Sequence, residues 1–173
     1  DHILGTRNKA GQLVYPNAKI MVPSVEHAFW MDDARMAAAP DAMKGAFQTV
    51  RRMLGGLGDD KLVKFEAGTE VVPGVKSVAA YGHTPGHTLF MVESKGEKFA
   101  YLADITNVPQ RFARNPDWAV QFDMDAEAAR LTRRKVFDMI ANDRVMAGGF
   151  HFPFPAFGRV EKLGSGFEFK PVA

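Results

Sequence analysis

Residues 82–88, which read Gly-His-Thr-Pro-Gly-His-Thr, constrain the fold more than any other stretch of this sequence. A loosely alternating run, 71–80, precedes them, and a compact apolar run, 88–93, follows them. Both runs are typical of strands. Proline fixes the backbone angle φ and glycine tolerates positive φ, so the Pro-Gly pair specifies a tight turn. The sequence therefore predicts two strands joined by a turn that presents His87.

Other histidine and aspartate side chains also stand where predicted strands end. Asp104 closes an apolar strand that begins with Phe-Ala-Tyr-Leu, and His151 follows a predicted strand at 144–147. The chain opens with the pair Asp1 and His2. Because α/β folds gather site residues on the loops that follow strands, we expect these side chains to form one site.

Helical patterns alternate with the predicted strands. A serine and a first-turn glutamate favour a helix over 24–38, a second helix runs from Pro40 to Gly55, and a third covers 125–142. Interleaved strands and helices indicate a layered α/β domain, and 173 residues suit a single domain at 1–173. The predicted strands cover 20–22, 71–80, 144–147 and a hairpin at 88–104.

The third helix has an apolar face that the spacing predicts to be buried. The residues on that face are Ala128, Leu131, Val136 and Met139. Its basic residues fall off this face, so we expect Arg133, Arg134 and Lys135 to be solvated.

Charge and cysteine content exclude several classes of protein. The 22 basic and 20 acidic residues leave a net charge of +2, without the basic excess of a nucleic-acid-binding protein. No apolar run reaches the ~18 residues of a transmembrane helix, so we expect no membrane partner. With no cysteine, a transition-metal site would have to use His, Asp and Glu. Small-molecule substrates remain as the expected partners.

Imidazole and carboxylate are the usual ligands of zinc and similar divalent ions. A carboxylate can bridge two ions, and a metal lowers the pKa of bound water to about 7. The histidines and aspartates at the strand ends therefore indicate a hydrolytic metal site. Each also has a simpler interpretation. Asp104 could cap a turn, while His87 and His151 could bond backbone carbonyls.

The order of these motifs, Asp-His, Thr-Pro-Gly-His, strand-Asp and strand-His, resembles the metallo-β-lactamase superfamily. Within it, the sequence looks like the methyl parathion hydrolase-like metallohydrolases. The resemblance implies a four-layer αββα sandwich and covers the C-terminal two thirds of such a protein, with the N-terminal part missing. The shared segments are Tyr-Pro-Asn-Ala at 15–18, Lys-Gly at 44–45, Val-Pro-Gly-Val-Lys at 72–76, the turn at 82–88, His-Phe-Pro-Phe-Pro at 151–155 and the closing residues 166–172.

The resemblance also implies a set of metal ligands. Asp1, His2 and His151 would bind one ion, His87 would bind the other, and Asp104 would bridge the two. Asp1 and Asp104 would thereby be the catalytic carboxylates. The remaining His-x-His pair is expected just before Asp1. The resemblance assigns no metal to His83, which we expect to support or pack beside the ligands. Ala103 stands where the family commonly has glycine.

By the same resemblance, the function is metal-dependent hydrolysis by a metal-bound hydroxide at a dinuclear centre of two divalent, zinc-type ions. The substrates would be organophosphate triesters or related small esters. The alternatives are a lactonase or β-lactamase-like hydrolase on the same site, or a metal-poor, non-catalytic relative. Trp30 and Phe152 would line the substrate pocket, and a homodimer is expected by resemblance. Either a cytoplasmic or an exported location fits.

Overall fold

A computed structural model describes residues 2–172. The chain divides into two compact units, Asp1–Glu66 and Ala67–Ala173. That residues 1–173 form a single domain stays a prediction. In neither unit, over the residues described, is any helix long and apolar enough to cross a membrane.

The N-terminal unit combines helices with a two-stranded parallel sheet. Its second strand was not predicted from the sequence. The elements are a 3-10 helix at His2–Thr6, β1 at Ile20–Pro23, α1 at Ser24–Met31, α2 at Asp33–Ala38, α3 at Asp41–Leu54 and β2 at Leu62–Phe65.

The helix predicted over 24–38 is wrong in one respect, because the structure breaks it into two. Asp32 lies between them in an extended conformation, and its side chain accepts a hydrogen bond from the Arg35 backbone N–H. A carboxylate that caps a new helix competes with continuation of the old one. The first helix is also capped differently from expectation. Pro23 occupies the N-cap, and the Ser24 hydroxyl donates to the Phe65 carbonyl instead.

The C-terminal unit contains a seven-stranded sheet whose strands follow one another in sequence order. All neighbours are antiparallel except the fourth and fifth strands, which are parallel. The chain between these two forms α4 at Pro109–Arg114 and α5 at Ala126–Asn142. The strands are β3 at Glu70–Val72, β4 at Val75–Ala79, β5 at Thr88–Ser94, β6 at Glu97–Tyr101, β7 at Met146–Gly148, β8 at Phe157–Leu163 and β9 at Gly166–Pro171.

Most of the predicted middle of the chain is confirmed. The hairpin at 88–104 is formed by β5 and β6, and the alternating run at 71–80 by β3 and β4. The C-terminal hairpin of β8 and β9 was not predicted. The layered α/β class is confirmed by the alternation of strands and helices.

The predicted span of α5 is confirmed, and so is the burial of Val136 on its predicted face, but Leu131 and Arg133 are placed oppositely to the prediction. Leu131 is 63% exposed, whereas Arg133 is 1% exposed. The buried stripe lies one step around the helix and includes Arg133 because backbone carbonyls meet its guanidinium there. Its members are Ala129, Arg133, Val136, Phe137 and Ile140.

Candidate metal centre

The parallel pair β6 and β7 brings Asp104 and His151 to one edge of the sheet. Tyr101 and Gly148, the last residues of these strands, are register partners. Asp104 and His151 are each the third residue beyond their strand. Because parallel strands end at the same edge, equal distances beyond them place the two side chains together. His151 Nε2 lies 3.1 Å from Asp104 Oδ1.

Two residues of this edge adopt a left-handed backbone conformation. Ala103 has a φ of 48° and His151 a φ of 63°. L-residues pay roughly 1–2 kcal/mol for this conformation, and such strain clusters at functional sites. Ala103, which stands where the resemblance led us to expect glycine, therefore carries a backbone cost.

Gly149 allows the two loops of this edge to approach closely. A Cβ at this position would lie 2.8 Å from the Ala103 carbonyl oxygen, closer than a real Cβ tolerates. The segment before His151 can therefore run directly along the backbone before Asp104 only because residue 149 lacks a side chain.

His87 reaches the same edge from the predicted turn. It immediately precedes β5, in which Phe90 pairs with Tyr101 at the end of β6. The His87 side chain is buried, with Nδ1 lying 2.8 Å from the Ala80 carbonyl oxygen. A carbonyl only accepts, so Nδ1 carries the proton and Nε2 the lone pair. Nε2 accepts a hydrogen bond from the Asp104 backbone N–H at 3.1 Å.

These donors fit a divalent metal ion. A metal-binding imidazole commonly has its other ring N–H held by a backbone carbonyl, as Ala80 holds His87. The second imidazole, His151, stands at contact distance from the carboxylate of Asp104. Histidine nitrogen and carboxylate oxygen are the donors that zinc accepts in sites without cysteine. Whether these residues are the ligands stays a prediction.

The negative charge of Asp104 also reaches a neighbouring phenol. Burial raises the pKa of Tyr101 above its ordinary value, and the Asp104 carboxylate raises it further. The Tyr101 ring packs edge-on against Phe150, with ring centroids 5.7 Å apart. Tyr101 therefore stays protonated at neutral pH and borders the carboxylate as a neutral side chain.

The remaining predicted site residues are Asp1, His2, Trp30 and Phe152. Asp1 lies outside the described residues, and His2 is exposed at the start of the 3-10 helix in the N-terminal unit. Trp30 is buried against Phe47 in that unit, with ring centroids 4.7 Å apart. Phe152 is buried in the C-terminal unit against Phe169, with centroids 4.9 Å apart. Their roles as ligands and pocket walls stay predictions.

Two residues that support the histidine turn, Asp123 and Arg133, were missed by sequence reasoning. His83 Nδ1 contacts Asp123 Oδ1, and Asp123 Oδ2 contacts the buried Arg133. One signal could have revealed Arg133. It lies at helical spacing from Ala129 and Ile140, on a stripe that is otherwise apolar. The sequence around Asp123 carries no comparable signal.

A model of the metallo-beta-lactamase superfamily matches residues 1–147. No curated protein sequence matched the chain.

Solved structures share its fold. One is described as hydrolase AbOPH in the beta lactamase superfamily, with 24% identity, a TM-score of 0.91 and coverage of 100% of this chain and 61% of that chain. Another is AidC, a dizinc quorum-quenching lactonase in complex with a product, with 28% identity, a TM-score of 0.86 and the same coverages. A probable metal-dependent hydrolase from Staphylococcus aureus has 26% identity and a TM-score of 0.65, covering 87% of this chain and 50% of that chain. The chain thus spans less than two thirds of the length of these structures, and the predicted metallo-β-lactamase fold is confirmed.

Proposed function

Because this chain belongs to the metallo-beta-lactamase superfamily, we propose that it is the larger part of a metal-dependent hydrolase that cleaves small esters. The observation that carries the proposal is the contact of Asp104 with two imidazoles at one sheet edge. Its carboxylate lies 3.1 Å from His151, and its backbone N–H lies 3.1 Å from His87. Imidazole and carboxylate are the residue types that would hold a divalent ion such as zinc.

The roles of the residues follow from their contacts. His87, Asp104 and His151 would hold the metal. A divalent ion, when bound, lowers the pKa of water and polarises a substrate oxygen. The Ala80 carbonyl holds the His87 ring in the tautomer with its lone pair on Nε2, the atom that lies against the Asp104 backbone N–H. Tyr101, with its raised pKa, adds no second negative charge beside Asp104. Zinc as the metal and two ions per site are part of the proposal, as are the ligand roles of Asp1 and His2.

The first proposed substrates are organophosphate triesters, which the sequence motifs suggest through their likeness to methyl parathion hydrolase-like enzymes. A second candidate class is lactones. It is supported by the similarity at 28% identity to a structure described as a dizinc quorum-quenching lactonase. Both classes present an electrophilic centre bonded to a leaving oxygen, which the same hydrolytic chemistry attacks.

The test compares hydrolysis of a paraoxon-type triester, an N-acyl homoserine lactone and a cephalosporin by the full-length protein, with zinc per chain counted in the same preparation. We expect the triester or the lactone to be cleaved, and Asp104→Asn to lower kcat/KM by at least about 100-fold, beyond the 10–100-fold typical of residues that only support a ligand.

His27→Asn is the matched control. This histidine lies on α1 in the N-terminal unit, where burial and Lys64 lower its pKa. It should leave kcat/KM within about twofold of the wild type. A protein that binds less than one ion per chain and stays inactive with added metal would be a non-catalytic relative, and the proposal would fail.

A further inference from the structure

Arg133 is a charged side chain held in the interior of the C-terminal unit. Its Nε donates to the Ile105 carbonyl at 2.9 Å, and Nη1 donates to the carbonyls of Pro116 and Trp118 at 3.0 and 2.8 Å. The guanidinium also lies over the Phe112 ring, 5.1 Å from its centroid. Arg133 therefore holds three backbone carbonyls of residues 105–118, the segment that follows Asp104.

Asp123 connects this guanidinium to the histidine turn. Its side chain is 2% exposed, and its two oxygens serve different partners. Oδ2 accepts from Arg133 Nη2 at 3.1 Å, while Oδ1 lies 3.1 Å from His83 Nδ1. Since a carboxylate only accepts, His83 Nδ1 carries the proton in this contact.

His83 in turn contacts the predicted ligand His87. The two rings meet edge to face, with centroids 5.6 Å apart. The backbone adds two further links, because Met124 N–H donates to the His83 carbonyl and Asp125 N–H to the Gly82 carbonyl. The turn that presents His87 is thus fixed through a ring contact, a side-chain hydrogen bond and two backbone hydrogen bonds.

We propose that Arg133, Asp123 and His83 form a positioning chain that holds the His87 ring ready for metal binding. The inference rests on the proposed function and deepens it, since it assigns metal affinity to residues that need not touch the metal. A buried ion pair is a costly way to gain stability alone, because desolvation offsets much of the Coulomb attraction. In this pair the second carboxylate oxygen of Asp123 contacts His83, which lies beside the site.

Gly82 shows how closely the turn is seated on α5. A Cβ there would lie 2.2 Å from the Ala129 backbone nitrogen, and its φ is 128°. Gly82, the first residue of the turn, therefore rests directly on the backbone of α5 at Ala129, on the helix that carries Arg133. A displacement of α5 or of Asp123 must move the turn, and with it His87.

The experiment measures zinc affinity by competition with a chelator, and the cobalt absorption spectrum, in the full-length protein. His83→Ala should weaken zinc binding by about 10-fold or more and change the cobalt bands, because ring orientation at His87 is lost. Asp123→Asn, which keeps the shape but not the charge, should weaken it in the same direction. The matched control is Asp117→Ala, which removes the exposed partner of the next arginine on α5 and should change neither readout.

A separate readout needs no metal. In the metal-free protein, ring ¹⁵N signals should show His87 as the Nδ1–H tautomer in the wild type and the control, and broadened or shifted in His83→Ala. Zinc affinity of His83→Ala within twofold of the control, with unchanged His87 signals, overturns the positioning chain. A fall in thermal midpoint without a change in the cobalt bands would show a merely structural role and overturn it as well. A wild-type protein that takes up no zinc contradicts the proposed function, and the metal-free His87 signals then decide the inference alone.

Discussion

Arg133 and Arg134 are consecutive residues of α5, and each pairs with an aspartate of the segment that precedes the helix. Arg133 meets Asp123 with both side chains 2% exposed or less. Arg134 meets Asp117 with Nε 3.1 Å from Oδ1, and both side chains are substantially exposed. Both pairs join an arginine of α5 to an aspartate, so the main difference between the two pairs is their burial.

Burial reverses the electrostatic consequence of the pairing. Desolvation lowers the pKa of Arg133, and the nearby Asp123 opposes that shift only in part. The hydrogen bond that Arg134 donates to Asp117 raises the pKa of Arg134. Both guanidinium groups stay charged. Arg133 with Asp123, the inner pair, therefore forms despite a desolvation cost and depends on all of its hydrogen-bond partners. Arg134 with Asp117, the outer pair, is screened by water and contributes little to stability.

Arg133→Met should have the largest effect on stability. It leaves the Asp123 carboxylate buried without its cation and removes the donor to the carbonyls of Ile105, Pro116 and Trp118. Breaking a buried pair in this way typically costs about 3–5 kcal/mol. Urea unfolding monitored by circular dichroism would measure it. A loss below about 1 kcal/mol would show that the inner pair is no more important than a surface one.

The double variant Arg133→Met with Asp123→Leu separates stability from positioning. With no charge left unpaired, its free energy of unfolding should lie above that of Arg133→Met but below that of the wild type, because three carbonyls still lack the Arg133 donor. Its zinc affinity should nevertheless fall as in His83→Ala, because His83 has lost its acceptor. If stability and zinc affinity both return to wild-type values, the inner pair has no positioning role.

The sequence predicted the span of α5 but not which of its faces is buried. Asp125 caps the helix as its residue type and position suggest, since capping is a local interaction. Apolar residues occur on two overlapping stripes, and a charged Arg133 argues against the stripe that is in fact buried. The carbonyls that receive Arg133 come from residues 105–118, which no local pattern brings to the helix.

The candidate site likewise has a part that could be predicted from the sequence and a part that could not. The Pro-Gly turn and the residues after β6 and β7 were predictable because strand order and strand ends determine where Asp104 and His151 lie. The contact of Asp123 with His83 joins residues 40 positions apart through an irregular loop. Periodicity and turn chemistry contain no information about such a pairing, so this support for the site emerged only from the fold.

Asp117→Asn should affect stability far less than either change at Arg133. The outer pair is exposed and bridges the same helix to the same preceding segment. Exposed ion pairs contribute little, so the thermal midpoint should change by about 2 °C or less, with zinc affinity unchanged. Differential scanning calorimetry of the wild type and this variant provides the measurement. A fall as large as that of Arg133→Met would remove the distinction between the two pairs.

The smallest expected effect is the pH dependence of the outer pair. The hydrogen bond from Arg134 lowers the pKa of Asp117 in the folded protein below its ordinary value of 3.8. A carboxyl with a lowered folded-state pKa stabilises the fold above its unfolded-state pKa, and this contribution is lost as the pH falls through the folded-state value. The small difference in thermal midpoint between the wild type and Asp117→Asn should therefore be present at about pH 7 and vanish well below pH 3.8. A difference that persists unchanged in strong acid would mean that Asp117 acts through its shape, and charge would no longer separate the outer pair from the inner one.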